Sequence, residues 1–315
     1  MKTYHFISGL PRSGSTLLSA ILKQNPRFTA GISDPLLSFA NSIIRDTNNA
    51  VGMDASVPIE KRRELIRDLF HSFYKNDNEV CFNTNRGWTG CTSLLKDLFP
   101  NFKMIVCVRD VPWILDSFEN LNSKNPYTIK PLYHHQELGS VHERCQILMG
   151  ENPNFAGYVR GPLIGTQQVM FSSEYDHCCF IDYEVLTKNP EGAMRQIYEF
   201  LEEPYFQHDF NNVEDSYDEF DAQAKITDLH TVRKQVKYIE RRSILPNEIW
   251  DSYSKYSFWK NSNTEQFKKL KWINEKYNFN TVNQTTQPVV NTLTKTQPTN
   301  YPIKYPAPAG FRITK

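Results

Sequence analysis

Long apolar runs are absent from this chain of 315 residues, in which the longest purely apolar segment is the five-residue run Met104–Val108. A helix that crosses a bilayer needs ~20 such residues, so we expect no membrane span. The first residues lead directly into a strand pattern, which gives no sign of a signal peptide. An excess of charge is also lacking, because the net charge is +1. This balance gives no indication of binding to nucleic acid or to a membrane surface.

The six cysteines include no CxxC pair and show no metal-ligand spacing. Cys178 and Cys179 are adjacent, and Cys81 and Cys107 lie in apolar, strand-like runs. We therefore expect reduced, buried cysteines and a cytoplasmic protein. The histidine pair at 134–135 has no third ligand at a usable spacing, so no metal site is expected.

One charge is missing from the most informative motif of the chain, Gly9-Leu-Pro-Arg-Ser-Gly-Ser-Thr16. The spacing of its two glycines is that of a phosphate-binding loop, but Ser15 occupies the position where such loops carry lysine. The positive charge lies instead at Arg12, inside the loop. A strand pattern precedes the loop and a helical pattern follows it. Backbone N–H groups and the helix dipole favour an anion at such a helix start, so we predict that the loop binds one.

Strand and helix patterns alternate over the first 120 residues and resume after residue 177. Such alternation favours right-handed crossovers and a parallel α/β sheet, and a continuous apolar run is typical of a strand that is buried on both faces. The predicted strands are Tyr4–Ile7, Glu79–Phe82, Lys103–Val108 and Cys178–Tyr183. The predicted helices follow the loop, cover Pro58–Tyr74 and Thr92–Phe99, follow a cap at Asp110, and follow Asn189-Pro190.

Two segments depart from this alternation. Residues 122–177 contain several prolines and one helical stretch, Val141–Met149, and we predict an insertion that forms a lid or an acceptor surface. From about Asn280 the chain is rich in Thr, Asn, Gln and Pro, with no acidic residue after Glu275. This composition predicts an extended or disordered arm. We therefore expect an α/β domain over residues 1–279 and, over residues 280–315, an arm that offers a contact for a homo-oligomer.

Three further segments carry groups that suit a nucleotide. Arg109 follows a buried strand, at the edge of the sheet where α/β folds bind ligands. Ser117 lies about two helical turns later, and a guanidinium and a hydroxyl so placed can bind a second phosphate. Tyr183 follows the last predicted strand, and the segment 228–234 is basic.

With these segments in this order, roughly residues 3–260 resemble the sulfotransferases that use 3′-phosphoadenosine 5′-phosphosulfate (PAPS). The loop at Arg12 is similar to the 5′-phosphosulfate loop of that family, and Arg109 and Ser117 are similar to its 3′-phosphate pair. Tyr183-Glu184-x-Leu186 is similar to a strand end whose tyrosine lies by the adenine. The segment Leu229–Arg233 resembles a late basic loop that closes on the nucleotide in bacterial-type members. A more distant likeness is to tyrosylprotein sulfotransferases.

The resemblance implies a three-layer, P-loop-like fold with a central parallel sheet, a helical insertion and an extended C-terminal tail. PAPS is the implied donor and PAP the implied product, with no metal, because a sulfuryl group carries less negative charge than a phosphoryl group. The residues implied to bind the nucleotide are Arg12, Ser13, Gly14, Ser15, Thr16, Leu17, Arg109, Ser117, Tyr183, His230, Arg233 and Lys234.

The general base is less well determined. An acceptor hydroxyl loses a proton as it attacks, so a carboxylate or a histidine is needed within reach. In tyrosine-directed relatives a glutamate after the loop helix has this role. Alignment on Pro11 places Ser33 at that position, and we assign the base to its neighbour Asp34, whose structural alternative is a turn or a helix cap. The rival histidines are His134, His135, His142 and His230.

A second departure from the family concerns Arg86. Bacterial-type members often carry an acid-Lys-Ser/Thr run before Arg-Gly-Trp, whereas this chain has Phe82–Asn85 before Arg86-Gly-Trp88. Because the lysine is absent, Arg86 is predicted to supply the positive charge near the sulfate. Its alternative is a salt bridge with packing against Trp88. Arg12, Asp34 and Arg86 are thus the predicted catalytic residues.

Together these features predict transfer of a sulfuryl group from PAPS to a hydroxyl or amine acceptor by in-line displacement. The acceptor is a small molecule, a carbohydrate or a peptide, and the sequence does not select among them. One alternative is a nucleotide-dependent small-molecule kinase, which the missing loop lysine and the missing metal-holding acid oppose. The other is a non-catalytic module that binds PAPS or PAP.

Overall fold

The fold is described by a computed structural model that covers residues 2–49, 52–124, 133, 139–151, 157–215, 217–223, 226, 228–260 and 265–274. All of these belong to one compact unit, Met1–Tyr277. The histidine pair at 134–135 and the predicted arm at 280–315 lie outside the described residues. The boundary between domain and arm therefore stays a prediction.

A parallel sheet of six strands forms the centre of the described structure, in the order β2-β3-β1-β4-β5-β6. Strand β1 pairs with β3 on one side and with β4 on the other, so the carboxyl ends of these strands meet at one edge of the sheet. The strands are β1 Thr3–Gly9, β2 Phe28–Ala30, β3 Val80–Thr84, β4 Met104–Val108, β5 Cys178–Asp182 and β6 Lys271–Trp272.

Helices connect the strands and cover the sheet. They are α1 Ser15–Leu22, α2 Leu36–Asn49, α3 Met53–Ser56, α4 Ile59–Phe73, α5 Thr92–Leu98, α6 Val111–Ser123, α7 Val141–Leu148, α8 Arg160–Val169, α9 Tyr183–Lys188, α10 Pro190–Leu201, α11 Asp218–Gln223, α12 Asn247–Ser254 and α13 Glu265–Lys269. Short 3₁₀ segments lie at Arg86–Gly90, Tyr175–His177 and Phe258–Lys260.

Two apolar clusters lie on opposite faces of the sheet. Because successive side chains of a strand point to opposite faces, Phe6 of β1 joins a cluster with Met104, whereas its neighbour Ile7 joins the other with Ile105. Helices α4, α5, α6 and α8 contribute to the first cluster, and α1 and α10 to the second. The prediction of a three-layer α/β fold with a central parallel sheet is therefore confirmed.

The four predicted strands and the five predicted helices outside the insertion are present, with ends that shift by one or two residues. Asp110 takes the N-cap position of α6, but its side chain makes no capping hydrogen bond and binds Lys260 instead. In the insertion, α7 is present as predicted and starts with a capping box from Ser140 and Glu143. Helix α8 was not predicted there.

The six cysteines are all free, and five of them are buried. Burial raises the pKa of the Cys107 thiol to about 12, so this side chain stays a neutral thiol and packs as an apolar group. Within the described ranges, none of the helices has the length and the apolar character that crossing a membrane requires.

Candidate functional site

A cavity of about 410 Å³ lies at the carboxyl edge of the sheet. Its wall combines the loop after β1, the ends of β4 and β5, helix α6 and the segment 228–241. The residues of the sequence-based prediction that line it are Arg12, Gly14, Ser15, Thr16, Leu17, Arg86, Arg109, Ser117, Tyr183, His230 and Arg233.

The loop between β1 and α1 depends on two glycines with positive φ. Gly9 has φ 109°, and a Cβ there would lie 2.1 Å from the carbonyl oxygen of Cys107. Gly14 has φ 94°, and a Cβ there would lie 2.9 Å from Cδ2 of Tyr183. Helix α1 begins directly after Gly14, with its first N–H groups free of intrahelical partners. The two glycines therefore allow the turn that places the N-terminus of α1 at the cavity, which is the arrangement expected of an anion site.

Arg12 and Arg109 are joined in one network. Nε of Arg12 donates to Oγ of Ser117 at 3.0 Å, and its Nη1 donates to the carbonyl of Leu229. Nη1 of Arg109 donates to the carbonyl of Arg12 at 3.1 Å, and its guanidinium lies 4.4 Å from the ring centroid of Tyr183. The residues assigned to the 5′ and the 3′ groups of the nucleotide therefore line the same cavity.

These arginines have no acidic partner in the part of the chain that the structure describes. Arg12 bonds to Ser117 and a carbonyl, Arg109 to a carbonyl, and Arg86 to the hydroxyl of Tyr158. Burial, followed by the charge of Arg109, lowers the pKa of Arg12 to about 10, and burial also lowers the pKa of Arg109. Half-buried cations without counter-charges are costly, so the cavity suits an anion with more than one charge.

Arg86 follows β3, on the 3₁₀ segment Arg86–Gly90. Its guanidinium lies 4.3 Å from the ring centroid of Tyr158, and it lines the cavity. The salt bridge considered as an alternative is absent among the described residues. Trp88 packs in the core instead, where its Nε1 donates to Oδ1 of Asn83 at 2.7 Å.

The outer wall contains residues that the sequence did not single out for the site. Arg241 lies 4.8 Å from the ring centroid of Trp113, and both line the cavity together with Lys237. The carboxylate of Asp116, which is fully buried, binds Arg241 and accepts from the N–H of Ile244 at 2.8 Å. Asp116 thus attaches the segment 241–244 to α6. Basic residues continue beyond residue 234 in the sequence, but this composition does not show which of them face the cavity.

His230 lies in the wall beside α11. Its Nδ1 is 2.5 Å from Oδ1 of Asp221, and its backbone N–H donates to Oδ2 of the same carboxylate at 2.8 Å. Burial, aided by the charges of Arg86 and Arg12, lowers the pKa of His230, while Asp221 acts in the opposite direction. Asp221 precedes His230 by nine positions, and no sequence motif connects the two residues.

Asp34, the predicted base, does not line the cavity. Its Oδ2 accepts the N–H of Thr84 at 2.6 Å and the hydroxyl of Tyr74 at 3.5 Å. Burial raises the pKa of Asp34 to about 7. The carboxyl therefore connects the segment after β2 to the end of β3.

Two predicted nucleotide ligands have side chains directed elsewhere. Ser13 is buried, and its Oγ donates to the carbonyl of Leu10 at 2.5 Å, inside the loop. Lys234 is exposed and lies 3.4 Å from the carboxylate of Glu214. Neither is part of the cavity lining, so Ser13 has only its backbone N–H to offer an anion. Across the described ranges, no group of three or more His, Cys, Asp or Glu side chains is arranged to hold a metal ion.

Comparisons with known proteins identify the family of the chain. The model of the sulfotransferase family matches residues 5–207, which is more than half of the chain. No curated protein sequence matches the chain. Among solved structures, the sulfotransferase domain from the curacin biosynthetic pathway is 15% identical with a TM-score of 0.48, over 85% of this chain and 95% of that domain.

Two further solved structures are similar. Sulfotransferase STF9 from Mycobacterium avium is 14% identical with a TM-score of 0.46, over 84% of this chain and 78% of its own. A sulfotransferase from Alicyclobacillus acidocaldarius is 14% identical with a TM-score of 0.47, over 71% of this chain and 92% of its own. On the extent of the family match, which includes the loop after β1, Arg109, Ser117 and Tyr183, the chain belongs to the sulfotransferase family.

Proposed function

We propose that this chain transfers a sulfuryl group from PAPS to a hydroxyl or amine acceptor. The observation that carries the proposal is the set of three arginines, Arg12, Arg86 and Arg109, that line one cavity beside a helix start and have no acidic partner among the described residues. PAPS brings a 5′-phosphosulfate and a 3′-phosphate, which would supply the counter-charges.

Each end of the donor has a separate set of groups. The N–H groups of Ser13–Leu17 and the guanidinium of Arg12 would hold the 5′-phosphosulfate, and Arg109 with Ser117 would hold the 3′-phosphate. Tyr183 contacts both sets, because its ring lies against Gly14 and under Arg109. This position supports a role for Tyr183 beside the adenine.

Ser117 can serve Arg12 and a phosphate at the same time. Its oxygen accepts from Nε of Arg12 at 3.0 Å, and a hydroxyl that accepts still has its own O–H to donate. The hydroxyl thus links the guanidinium at one phosphate to the oxygens of the other. Catalysis would then consist of positioning the donor and stabilising charge on the leaving phosphate.

A kinase is less well supported, because Ser15 replaces the loop lysine and Arg109, not an acid, follows β4. A non-catalytic module that binds PAP has one observation in its favour. Asn83, which falls in the run where related enzymes carry a lysine, is fully buried and bonds to Tyr74 and Trp88. Within residues 82–88, Arg86 is therefore the one residue that brings positive charge to the cavity, and the absence of the lysine favours binding without catalysis.

The test is the consumption of PAPS in the presence of a metal chelator, with a panel of hydroxyl and amine acceptors. We expect turnover without metal and a loss of about 100-fold or more in Arg12→Ala, since this removes a preorganised charge at the leaving group. Arg45→Ala, on the exposed Arg45–Asp46 pair, is the control and keeps full turnover. Binding of PAP without any turnover would favour the non-catalytic module, and Mg²⁺-dependent consumption of ATP would favour the kinase.

A further inference from the structure

We infer that His230, oriented by Asp221, is the general base that takes the proton from the acceptor. The inference rests on the proposed sulfuryl transfer and assigns a role within the same cavity. It replaces Asp34, whose carboxyl lies outside the cavity lining and binds Thr84 and Tyr74.

The Asp221–His230 pair fixes both the orientation and the tautomer of the imidazole. Both oxygens of Asp221 are used, one by the backbone N–H of His230 and one by its Nδ1 at 2.5 Å. Because an ionised carboxylate only accepts, the proton of the neutral ring is assigned to Nδ1. Nε2 then carries the lone pair, and nothing in the described part of the chain binds it. This is the state that a base requires before the reaction.

The turn that carries His230 is attached to the phosphosulfate loop. The backbone carbonyl of Leu229, which precedes His230, accepts from Nη1 of Arg12. The carboxylate of Asp228 accepts from Nζ of Lys124, directly after α6, at 2.9 Å. Asp228 has φ 66°, a left-handed conformation that aspartate can adopt in a turn. The imidazole is therefore held beside the group that would contact the sulfate.

The charged and titratable groups that face the imidazole come from separate elements. Asp221 is on α11, Arg12 and Arg86 follow β1 and β3, and the Tyr217 ring lies 6.4 Å away between centroids. Burial and the two arginines favour the neutral ring, so it is free to accept a proton at neutral pH. Asp221 favours the imidazolium that forms when it does so.

In the proposed step, a lone pair of the acceptor oxygen or nitrogen forms the bond to sulfur, and the bond from sulfur to the 5′-phosphate oxygen breaks. That electron pair stays on the phosphate of PAP, next to Arg12 and the loop N–H groups. The acceptor proton moves to Nε2 of His230, and the resulting imidazolium remains paired with Asp221.

The first experiment measures PAPS consumption, with water counted among the acceptors, and PAP affinity by calorimetry. General-base catalysis contributes about 100- to 10,000-fold, so His230→Asn should lose turnover in that range while its affinity for PAP stays within about threefold of the wild type. Asp221→Asn should also lose turnover. Asp218→Asn, at an exposed carboxylate on the same helix, is the matched control and should not.

The second experiment compares two pH dependences. NMR of the PAP-bound protein gives the pKa of His230, whose signal is identified by its absence in His230→Asn, and kcat gives a kinetic inflection. Since Asp221 raises the pKa of His230, Asp221→Asn should move both the NMR pKa and the kinetic inflection to lower pH together. A residue that only shapes the loop would leave the kinetic inflection where it was.

Three results would overturn the inference and leave the proposed function intact: full turnover in His230→Asn, a loss of PAP affinity in that variant that matches its loss of turnover, or a kinetic inflection that does not follow the NMR pKa. Loss of turnover in Asp34→Asn alone would return the role to Asp34. A wild-type chain that binds PAP and turns over no PAPS would instead contradict the proposed function itself.

Discussion

Among single residues, Gly14 in the loop after β1 shows how the backbone conformation and the cavity lining depend on each other. Gly14 combines a left-handed backbone with a close approach to the Tyr183 ring. Gly52 has φ 82°, but a Cβ there would meet nothing within 4 Å. A substitution at Gly52 therefore causes backbone strain alone, whereas one at Gly14 causes backbone strain and a close contact with the Tyr183 ring.

We predict that Gly14→Ala and Gly52→Ala both lower the free energy of unfolding by about 1–2 kcal/mol, because an alanine is strained at positive φ. Only Gly14→Ala should also weaken PAP binding, by about tenfold or more, because its Cβ displaces the Tyr183 ring from the cavity. Thermal unfolding and calorimetry measure the two effects. Equal PAP affinity in both variants would show that Tyr183 does not contact the nucleotide.

At the scale of elements, the attachment of the segment 241–244 to α6 depends on one carboxylate. Asp116 is fully buried and receives hydrogen bonds from Arg241, Ser243 and Ile244. The segment contributes Arg241 to the cavity wall. Its attachment to α6 therefore also determines where the positive charge of Arg241 lies in the cavity.

We predict that Asp116→Asn lowers the free energy of unfolding by about 1–3 kcal/mol, because the amide cannot replace a buried carboxylate that accepts from Arg241, Ser243 and Ile244. PAP affinity should fall as well, since Arg241 is no longer held. Asp46→Asn, which breaks an exposed pair, should change neither quantity measurably. A stable Asp116→Asn protein with unchanged PAP affinity would refute this account of the segment.

Elements with clear periodicity could be predicted from the sequence, and those without it could not. Strand β4 is a continuous apolar run, and α4 carries an apolar face from Leu65 to Phe73. Strand β2 has only three residues and lacks such a pattern. Helix α8 contains Gly161 and Pro162, which suggest a loop, but both lie in its first turn, where the missing N–H of proline costs nothing.

At the scale of the whole molecule, the site is assembled from residues far apart in the chain. Arg12 binds the carbonyl of Leu229 across 217 positions and the hydroxyl of Ser117 across 105. The loop motif and Arg109 could be predicted to lie at the cavity because each follows a strand, and Ser117 because it lies about two helical turns after Arg109. The pairing of Asp221 with His230 depends on tertiary packing and has no sequence signal. Likewise, the net charge of +1 does not indicate that several cations line one cavity.

The stability of the whole molecule should depend on pH through Asp34. Its pKa in the folded protein is raised to about 7 by burial, so between about pH 4 and pH 7 the folded state binds a proton that the unfolded state has released. Stability from this group therefore falls as pH rises through that window, by a few kcal/mol in order of magnitude. In denaturant unfolding, the free energy of unfolding should fall less from pH 5 to pH 8 for Asp34→Asn than for the wild type. Parallel curves for the two proteins would show that the carboxyl is not buried in the folded chain.

The proposed donor requires that the cavity recognise the 3′-phosphate of an adenine nucleotide, and calorimetry with PAP and 5′-AMP, without metal, measures this recognition. Charge-assisted hydrogen bonds are worth about 1.5–3 kcal/mol, so wild-type protein should bind PAP about 10- to 100-fold more tightly than 5′-AMP. Arg109→Ala should remove that difference, while Arg45→Ala should keep it. Equal affinity of the wild-type protein for PAP and 5′-AMP would show that the cavity does not bind the 3′-phosphate.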